Sequence, residues 1–163
     1  MFSYCFDGYW KDVGTVASLW QANMDLLGEN PEFDVGDKSW KIHSRNPLAP
    51  PEHIGENGKA TNAMVALGCE IYGTVENSIL GSNVIVEEGA IVKDAVVLAN
   101  SVIKANATVS YSIIDENVTI GKGAKIGVDK DPNAEIVVLG RGLTIGDNVV
   151  VSEGQKHEND ILA

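Results

Sequence analysis

The sequence predicts a mainly β protein, a parallel β-helix built from hexapeptide repeats. An aliphatic residue returns every six positions in one register at Ile79, Ile85, Ile91, Val97, Ile103 and Val109. After a slip of one residue the period resumes at Ile114, Ile120 and Ile126, and after an interruption at Leu139, Ile145 and Val151. Small residues recur four places after these positions, at Gly89, Ala95, Ser101, Ala107 and Ala124. A period of six fits neither an α-helix nor a heptad, and it is typical of short strands joined by tight corners.

The composition agrees with stacked coils and excludes several kinds of partner. Aromatic residues make up only 6% of the chain, whereas slender β-branched residues suit strands. The formal net charge is −11, so we expect neither nucleic acid nor an anionic membrane surface as a partner, because both require a basic face. The two cysteines show no motif spacing, and neither a signal peptide nor a membrane span is visible. We therefore expect a cytoplasmic protein in a reducing compartment.

The first segment, residues 1–28, differs from the repeat and predicts a strand, a turn and a helix. Five of the ten aromatic residues lie within the first ten positions. Apolar residues at helical spacing follow at Val16, Leu19, Trp20, Met24 and Leu27. Thr15 is predicted to cap the start of this helix and Gly28 its end. Because so short a piece cannot bury its own apolar face, it must pack on the β-helix or on a part of the protein outside this sequence.

Residues 29–54 are predicted to form a linker, and residues 55–163 the β-helix. Prolines punctuate the linker, and the alternation of Trp40 and Ile42 with polar residues indicates a short strand or an extended stretch there. About three hexapeptides should complete one coil of roughly eighteen residues. Residues 127–138 interrupt the period with turn-forming residues, which predicts an extruded loop. The tail from His157 onward is expected to cap the open end or to dock on a neighbouring molecule.

The histidines argue against two enzyme classes that are built on such repeats. Acyltransferases of this fold use a histidine beside a neighbouring coil, and zinc enzymes of this fold use three histidines on adjacent coils. His43, His53 and His157 are all predicted to lie outside the coils. Both classes therefore lack their key residue, and solvated surface histidines are the simpler interpretation.

Asp12 and a few basic residues of the repeat are the candidate site residues. Asp12 stands between the aromatic cluster and the helix start, where a carboxylate can cap backbone amides or hold a hard cation such as Mg²⁺. Lys104 and Lys122 are three hexapeptides apart, which predicts that they lie on one side in successive coils. Two neighbouring cations on an acidic protein would mark an anion site. The alternative is a pair of solvated surface lysines.

Two stretches resemble a known family. Tyr9-Trp10-Lys11-Asp12-Val13-Gly14-Thr15 and Ala22-Asn23-Met24-Asp25-Leu26-Leu27 closely resemble the bacterial glucose-1-phosphate adenylyltransferases, also called ADP-glucose pyrophosphorylases. The similarity continues through the hexapeptides and covers essentially the whole chain. Members of that family have a nucleotidyltransferase domain followed by a left-handed β-helix. The resemblance implies that residues 1–28 end the first domain and that residues 55–163 are a left-handed regulatory and oligomerisation domain.

The resemblance also implies an activity and roles for two residues. The family joins ATP and α-glucose 1-phosphate to give ADP-glucose and pyrophosphate in glycogen biosynthesis, and two carboxylates hold Mg²⁺. It implies that Asp12 is one of these carboxylates, both metal ligand and catalytic residue, and that Trp10 lines the glucose site. The glycine-rich phosphate loop of the family is missing from this sequence. We therefore expect a C-terminal fragment that is inactive alone.

Regulation and assembly are further implications of the resemblance. Family members form homotetramers and bind phosphorylated or nucleotide effectors through basic residues. Glu116 stands where some relatives carry an effector-site lysine, so Lys104, Lys122 and Arg141 are the remaining candidates for effector binding. Two alternatives stay open. One is a non-catalytic regulatory partner subunit of the same pathway, and the other is a stand-alone hexapeptide acyltransferase.

Overall fold

Three parallel sheets form a three-sided β-helix, as the repeat predicted. The structure is a computed structural model that describes residues 1–39, 41–43, 47–131, 133–152, 154 and 156–162. One helix, α1 (Val16–Met24), precedes the strands. The strands are β1 (His53–Ile54), β2 (Lys59–Thr61), β3 (Met64–Val65), β4 (Glu70–Ile71), β5 (Thr74–Glu76), β6 (Ile79–Leu80), β7 (Ile85–Val86), β8 (Ile91–Lys93), β9 (Val96–Val97), β10 (Val102–Ile103), β11 (Thr108–Ser110), β12 (Ser112–Ile114), β13 (Thr119–Ile120), β14 (Lys125–Ile126), β15 (Val137–Leu139), β16 (Thr144–Ile145), β17 (Val150–Val151) and β18 (Lys156–His157).

Each coil contributes one strand to each of the three sheets. The first sheet has the order β1-β4-β7-β10-β13-β16, the second β2-β5-β8-β11-β14-β17 and the third β3-β6-β9-β12-β15-β18. Neighbouring strands within each sheet are parallel, and each strand pairs with the strand that comes three later in the chain. The β-helix therefore starts at His53, two residues before the predicted boundary. The described residues of 29–52 contain no helix or strand. The predicted extended stretch includes Trp40, which lies outside the described residues, and Ile42 is exposed and in no strand.

Aliphatic side chains from the three sheets fill the interior in registered columns. The columns are Leu80, Val97, Ile114 and Leu139; Val86, Ile103, Ile120 and Ile145; and Val92, Val109, Ile126 and Val151. The predicted register is confirmed from Val97 onward. It is wrong for Ile79, Ile85 and Ile91, which are half-buried or exposed. Two adjacent aliphatic residues stand at each of these positions, and a shift of one residue along a strand exchanges the inner and outer faces.

A coil of the central β-helix takes seventeen residues rather than eighteen. Val86 pairs with Ile103, and Ile103 pairs with Ile120. The shortened step lies at the corner between the second and third sheets. There a single residue with positive φ turns the chain, Asp94 at 50° and Tyr111 at 40°. Asparagine and aspartate tolerate this conformation, whereas a tyrosine there needs compensating contacts.

The small residues of the repeat lie where the chain enters each strand. Ala95, Ser101, Ala107 and Ala124 are buried, as predicted. Gly89 instead has a φ of 73° in the corner itself, and the buried small residue there is Ala90. A slim side chain at the inner edge of a corner lets neighbouring coils stack at the separation of hydrogen-bonded strands.

Helix α1 packs on the outer face of the third sheet through Trp20. This side chain is only 2% exposed and contacts Val96 of β9 and Ile113 of β12. Its indole Nε1 donates a hydrogen bond to the carbonyl oxygen of Asp94 at 2.8 Å. The ring of Tyr111 meets it edge-on at a centroid distance of 5.0 Å. Of the two packing partners that the sequence left open for the N-terminal piece, the structure shows the β-helix, although Val16 and Leu19 remain exposed.

Helix α1 and the segment before it test three predictions of the sequence. Thr15 caps the start through a capping box with Ser18, as expected. Gly28 is not the C-cap, because the helix ends at Met24 and Asp25 occupies that position, while Gly28 turns the chain further on with a φ of 99°. The predicted strand before the helix is absent from residues 1–15. A strand requires a hydrogen-bonding neighbour, and none of the eighteen strands extends its sheet toward this segment.

The predicted loop and the C-terminal tail both return to the β-helix. The loop leaves after β14 at Gly127, whose φ is 74° and where a Cβ would lie 1.9 Å from the carbonyl oxygen of Ser110. Lys130 of the loop places its Nζ 4.5 Å from the centroid of the Trp20 ring. In the tail, β18 pairs with β15, and Ile161 forms a parallel bridge with Ile145. The tail thus caps the open end, one of its two predicted roles.

Candidate functional site

The N-terminal segment is organised around the carboxylate of Asp25. The Tyr9 hydroxyl donates to its Oδ2 at 2.9 Å, and Lys11 forms both a hydrogen bond and an ion pair with the same oxygen. Gln21 Nε2 donates to the other oxygen at 2.9 Å. The Asp25 side chain is only 6% exposed. One buried carboxylate at the C-terminal end of α1 therefore joins the helix to the segment that precedes it.

The charges in this cluster stabilise one another. Burial by itself raises the pKa of Asp25, but the hydrogen bonds from Lys11, Gln21 and Tyr9 outweigh burial, and the pKa falls below its ordinary value. The hydrogen bond to Asp25 raises the pKa of Lys11. Burial and the same carboxylate raise the pKa of Tyr9. At neutral pH the cluster is thus a fixed ion pair with a neutral tyrosine, and the Tyr9 ring also stacks on Phe33 at 5.7 Å.

The two predicted substrate-site residues alternate with the clamped ones. Tyr9 and Lys11 reach Asp25, whereas Trp10 is 77% exposed and Asp12 is also exposed. Asp12 Oδ1 accepts a hydrogen bond from the amide of Gly14 at 3.0 Å, which forms a tight turn before the helix. Trp10 and Asp12 therefore project from an anchored segment toward solvent.

Asp12 offers one carboxylate to a metal ion. Mg²⁺ prefers carboxylate oxygens and keeps several water ligands, so one or two protein carboxylates suffice. Within the residues that the structure describes, no group of three or more histidine, cysteine, aspartate or glutamate side chains is placed to hold a metal. Asp12 therefore presents a single exposed carboxylate, which could serve as one ligand of a hard cation.

Lys104 and Lys122 lie on one side in successive coils, as predicted, but they are offset by one residue. The amide of Lys104 donates to the carbonyl of Ile120 at 3.0 Å, and the amide of Gly123 donates to the carbonyl of Ala105 at 3.0 Å. Lys122 therefore lies over Ala105, because the coil has seventeen residues. Both lysines still follow strands of the first sheet and share its corner, Lys104 half-buried and Lys122 exposed.

Arg141 lies at a different corner and already has a partner. Its guanidinium forms an ion pair with Glu116 at 2.8 Å. The amide of Gly142 donates to the carbonyl of Glu116 at 2.9 Å, so Arg141 and Glu116 stand at the corner after the third sheet. The three basic residues proposed for effector binding therefore do not form one cluster.

Two histidines lie in the coils, contrary to the prediction. His53 belongs to β1 and is exposed, with its ring 5.9 Å from that of Tyr72. His157 belongs to β18 and pairs with Leu139, so it takes an interior position; its Nε2 is buried without a hydrogen-bond partner among the described residues. His43 lies in the linker, as expected. The two coil histidines occupy opposite ends of different sheets.

The two cavities described next lie against the β-helix, and neither has the basic lining that a phosphate group needs. One of about 440 Å³ is lined by Glu56, Asn57, Tyr72, Glu87, Glu88 and Ala105. Its three carboxylates disfavour anionic ligands. Another of about 340 Å³ lies between the start of α1 and the strands near Tyr111, and most of its lining is apolar.

In the part of the chain that the structure describes, no helix has the length and apolar character needed to cross a membrane.

Comparison with known proteins gives consistent results. Residues 50–145 match the family described as GlmU-like, C-terminal hexapeptide. The chain is 41% identical over 157 residues to the glucose-1-phosphate adenylyltransferase of Acetivibrio thermocellus, which covers 94% of this chain and 37% of that protein. It is 51% identical over 134 residues to the enzyme of Clostridium botulinum Eklund 17B, covering 78% of this chain and 35% of the relative. It is 53% identical over 89 residues to the enzyme of Geobacillus stearothermophilus, covering 55% of this chain and 23% of the relative. The chain thus spans well under half the length of these relatives.

Proposed function

This chain belongs to the GlmU-like, C-terminal hexapeptide family, and we propose that it forms the C-terminal part of a glucose-1-phosphate adenylyltransferase. The observation that carries the proposal is the extent of the similarity. The family match covers the repeat, whereas the 41% identity extends over 94% of the chain and so includes most of the segment before the repeat. That segment carries Trp10 and Asp12, which a bare hexapeptide domain does not need.

The complete protein is proposed to join ATP and α-glucose 1-phosphate into ADP-glucose and pyrophosphate, the reaction that supplies glycogen biosynthesis. Bound Mg²⁺ would supply positive charge that offsets the charge developing on the phosphate oxygens. Asp12 would hold the ion through its exposed carboxylate, and Trp10 would line the glucose site with its exposed ring. This chain alone carries no glycine-rich phosphate loop, so it is proposed to be inactive by itself.

The β-helix is proposed to serve assembly and regulation of the complete enzyme. It would contribute to a homotetramer and to binding of a phosphorylated or nucleotide effector. Lys104 and Lys122 share a corner and are the better-placed candidates for an anion. Arg141 would have to leave Glu116 to reach an effector.

Asp12→Asn in the complete protein tests the proposed chemistry. The substitution removes the charge that would hold Mg²⁺ and keeps the shape of the side chain, so kcat for ADP-glucose formation should fall roughly a hundredfold. Elution volume in gel filtration should stay unchanged, because Asp12 is exposed and its carboxylate bonds the nearby Gly14 amide. The readout is pyrophosphate released from ATP and glucose 1-phosphate at saturating Mg²⁺.

The chain supplies its own matched control for this experiment. Asp34-Val35-Gly36 repeats the tripeptide Asp12-Val13-Gly14, and Asp34 Oδ1 accepts a hydrogen bond from the Gly36 amide at 2.7 Å, as Asp12 does from Gly14. Asp34→Asn should leave kcat unchanged. Near-normal activity of Asp12→Asn, or an equal loss in both variants, would remove Asp12 from the site. Formation of ADP-glucose by this chain alone would contradict the proposal that it is only the C-terminal part of the enzyme.

A further inference from the structure

The contacts of Asp25 join the segment before the helix to the far end of α1. We propose that Asp25 is a positioning residue that holds Trp10 and Asp12 in place for the reaction, an inference that rests on the proposed function. Tyr9 and Lys11 flank Trp10, and Lys11 directly precedes Asp12. Both donate to Oδ2 of Asp25, so the carboxylate fixes the chain on each side of the tryptophan.

The carboxylate is itself well anchored. Asp25 caps the helix, and its amide donates to the carbonyl of Gln21 at 2.9 Å. The Gln21 side chain holds the second carboxylate oxygen. Trp20, one residue earlier, is buried against the third sheet. A continuous path of hydrogen bonds and packing therefore runs from the β-helix through α1 to Asp25 and on to the segment that carries Asp12.

The burial of this cluster distinguishes it from an ordinary surface ion pair. Exposed ion pairs contribute little and fluctuate, because water and salt compete for both charges. A carboxylate that is 6% exposed and accepts three donors is held in one orientation. On the other side of Asp12, the Gly14 amide and the Thr15 cap fix the chain to the start of the helix. The exposed Asp12 is thus tethered at both sides, and the tether on the Lys11 side depends on Asp25.

The inference predicts a kinetic defect without loss of fold. In the complete protein, Asp25→Asn keeps the size of the side chain but removes the charge that orders Lys11. Misplacement of a reacting group by about 1 Å costs roughly a hundredfold in rate, so we expect kcat to fall roughly tenfold or more. The Mg²⁺ concentration at half-maximal rate should rise several-fold, a change that a purely structural role would not produce. Glu158→Gln, which breaks the 2.7 Å ion pair with Lys156 in the last coil, is the matched control and should leave both values unchanged.

Three further variants keep the test decisive if Asp25→Asn loosens the helix. Tyr9→Phe removes one hydroxyl outside the helix and should raise the half-saturating Mg²⁺ concentration in the same direction. Lys11→Met should reproduce the defect, and Lys11→Arg should restore activity because it retains a donor. Amide exchange of residues 8–14 should accelerate in Tyr9→Phe and Lys11→Met.

The outcomes separate this inference from the proposed function. An active parent enzyme in which Asp25→Asn and Tyr9→Phe leave kcat and the Mg²⁺ dependence unchanged would overturn the role of Asp25 alone. A complete parent protein that forms no ADP-glucose would overturn the proposed function, and this inference with it. Parallel losses in Glu158→Gln would also overturn the inference, since they would show a general effect of removing ion pairs.

Discussion

At the scale of single residues, burial decides which polar groups are fixed and which remain reactive. The side chains of Asp25 and Cys69 are both buried, but Asp25 is charged and paired with Lys11 whereas Cys69 is a free thiol. Cys69 donates its Sγ hydrogen to the carbonyl of Gly81 at 3.0 Å, and burial raises the pKa of its thiol. Cys5, in contrast, is exposed in the N-terminal segment. The two cysteines should therefore differ sharply in chemistry.

Thiol titration with an aromatic disulfide at pH 8 checks this difference. The thiolate is the reactive form, so a buried thiol of raised pKa reacts slowly. We expect one fast equivalent from Cys5 in the native chain and a second only after denaturation. Cys5→Ser should abolish the fast reaction and leave the slow one. Two fast equivalents in the native protein would show that Cys69 is accessible.

The same scale explains which site features the sequence revealed. Asp12 was predicted from its place before the helix start and again from the family resemblance, Trp10 from the resemblance alone, and both side chains are exposed. The Asp25 cluster was missed because its contacts join residues fourteen and sixteen positions apart across a turn whose path no local pattern gives. The one available signal was the tyrosine and lysine two positions apart, which places both side chains on one side of an extended chain.

At the scale of elements, helix α1 is held mainly by Trp20. The indole is buried between β9 and β12, hydrogen-bonded to Asp94, and covered by Lys130 from the extruded loop. The helix has nine residues, too few to be stable alone in water. Its order therefore depends on this docking contact rather than on intrinsic helix propensity.

Trp20→Ala should release the helix from the sheet. Truncation of a buried tryptophan typically costs about 3–5 kcal/mol, which exceeds what the remaining contacts of so short a helix supply. Amide exchange of residues 16–24 should accelerate strongly while exchange in β10 and β13 stays slow. Leu19→Ala, on the same helix but 41% exposed, is the control and should change exchange little. Equal protection in both variants would mean that Trp20 is not the anchor.

The loop and the corners show where periodicity ceases to predict structure. The loop position was predicted because its turn-forming residues interrupt the repeat, and Gly127 opens it where a Cβ would collide with Ser110. The coil length was not predicted, because a six-residue period gives no sign of one-residue corners such as Asp94 and Tyr111. Because the coil has seventeen residues rather than eighteen, Lys104 and Lys122 are also offset from each other by one residue.

At the scale of the whole molecule, the β-helix is close to one-dimensional. Each strand pairs only with the strands of the coils before and after it. In such architectures stability is nearly a sum of coil and neighbour terms, so a change at one end should stay local. The exposed end is protected by the tail, where Asp160 accepts a hydrogen bond from the Thr144 amide at 2.7 Å and Ile161 packs against the core.

Ile161→Glu tests both the cap and the local character of the fold. The charge cannot remain half-buried against the apolar core, so the tail should detach and expose the edge of β16. Amide exchange in β16 and β17 should accelerate, whereas β7 and β10, two or more coils away, should keep their protection. Leu162→Glu changes the exposed neighbour in the same way and should alter neither region. If protection fell evenly across all coils, the molecule would unfold as one cooperative unit, and the one-dimensional description would have to be abandoned.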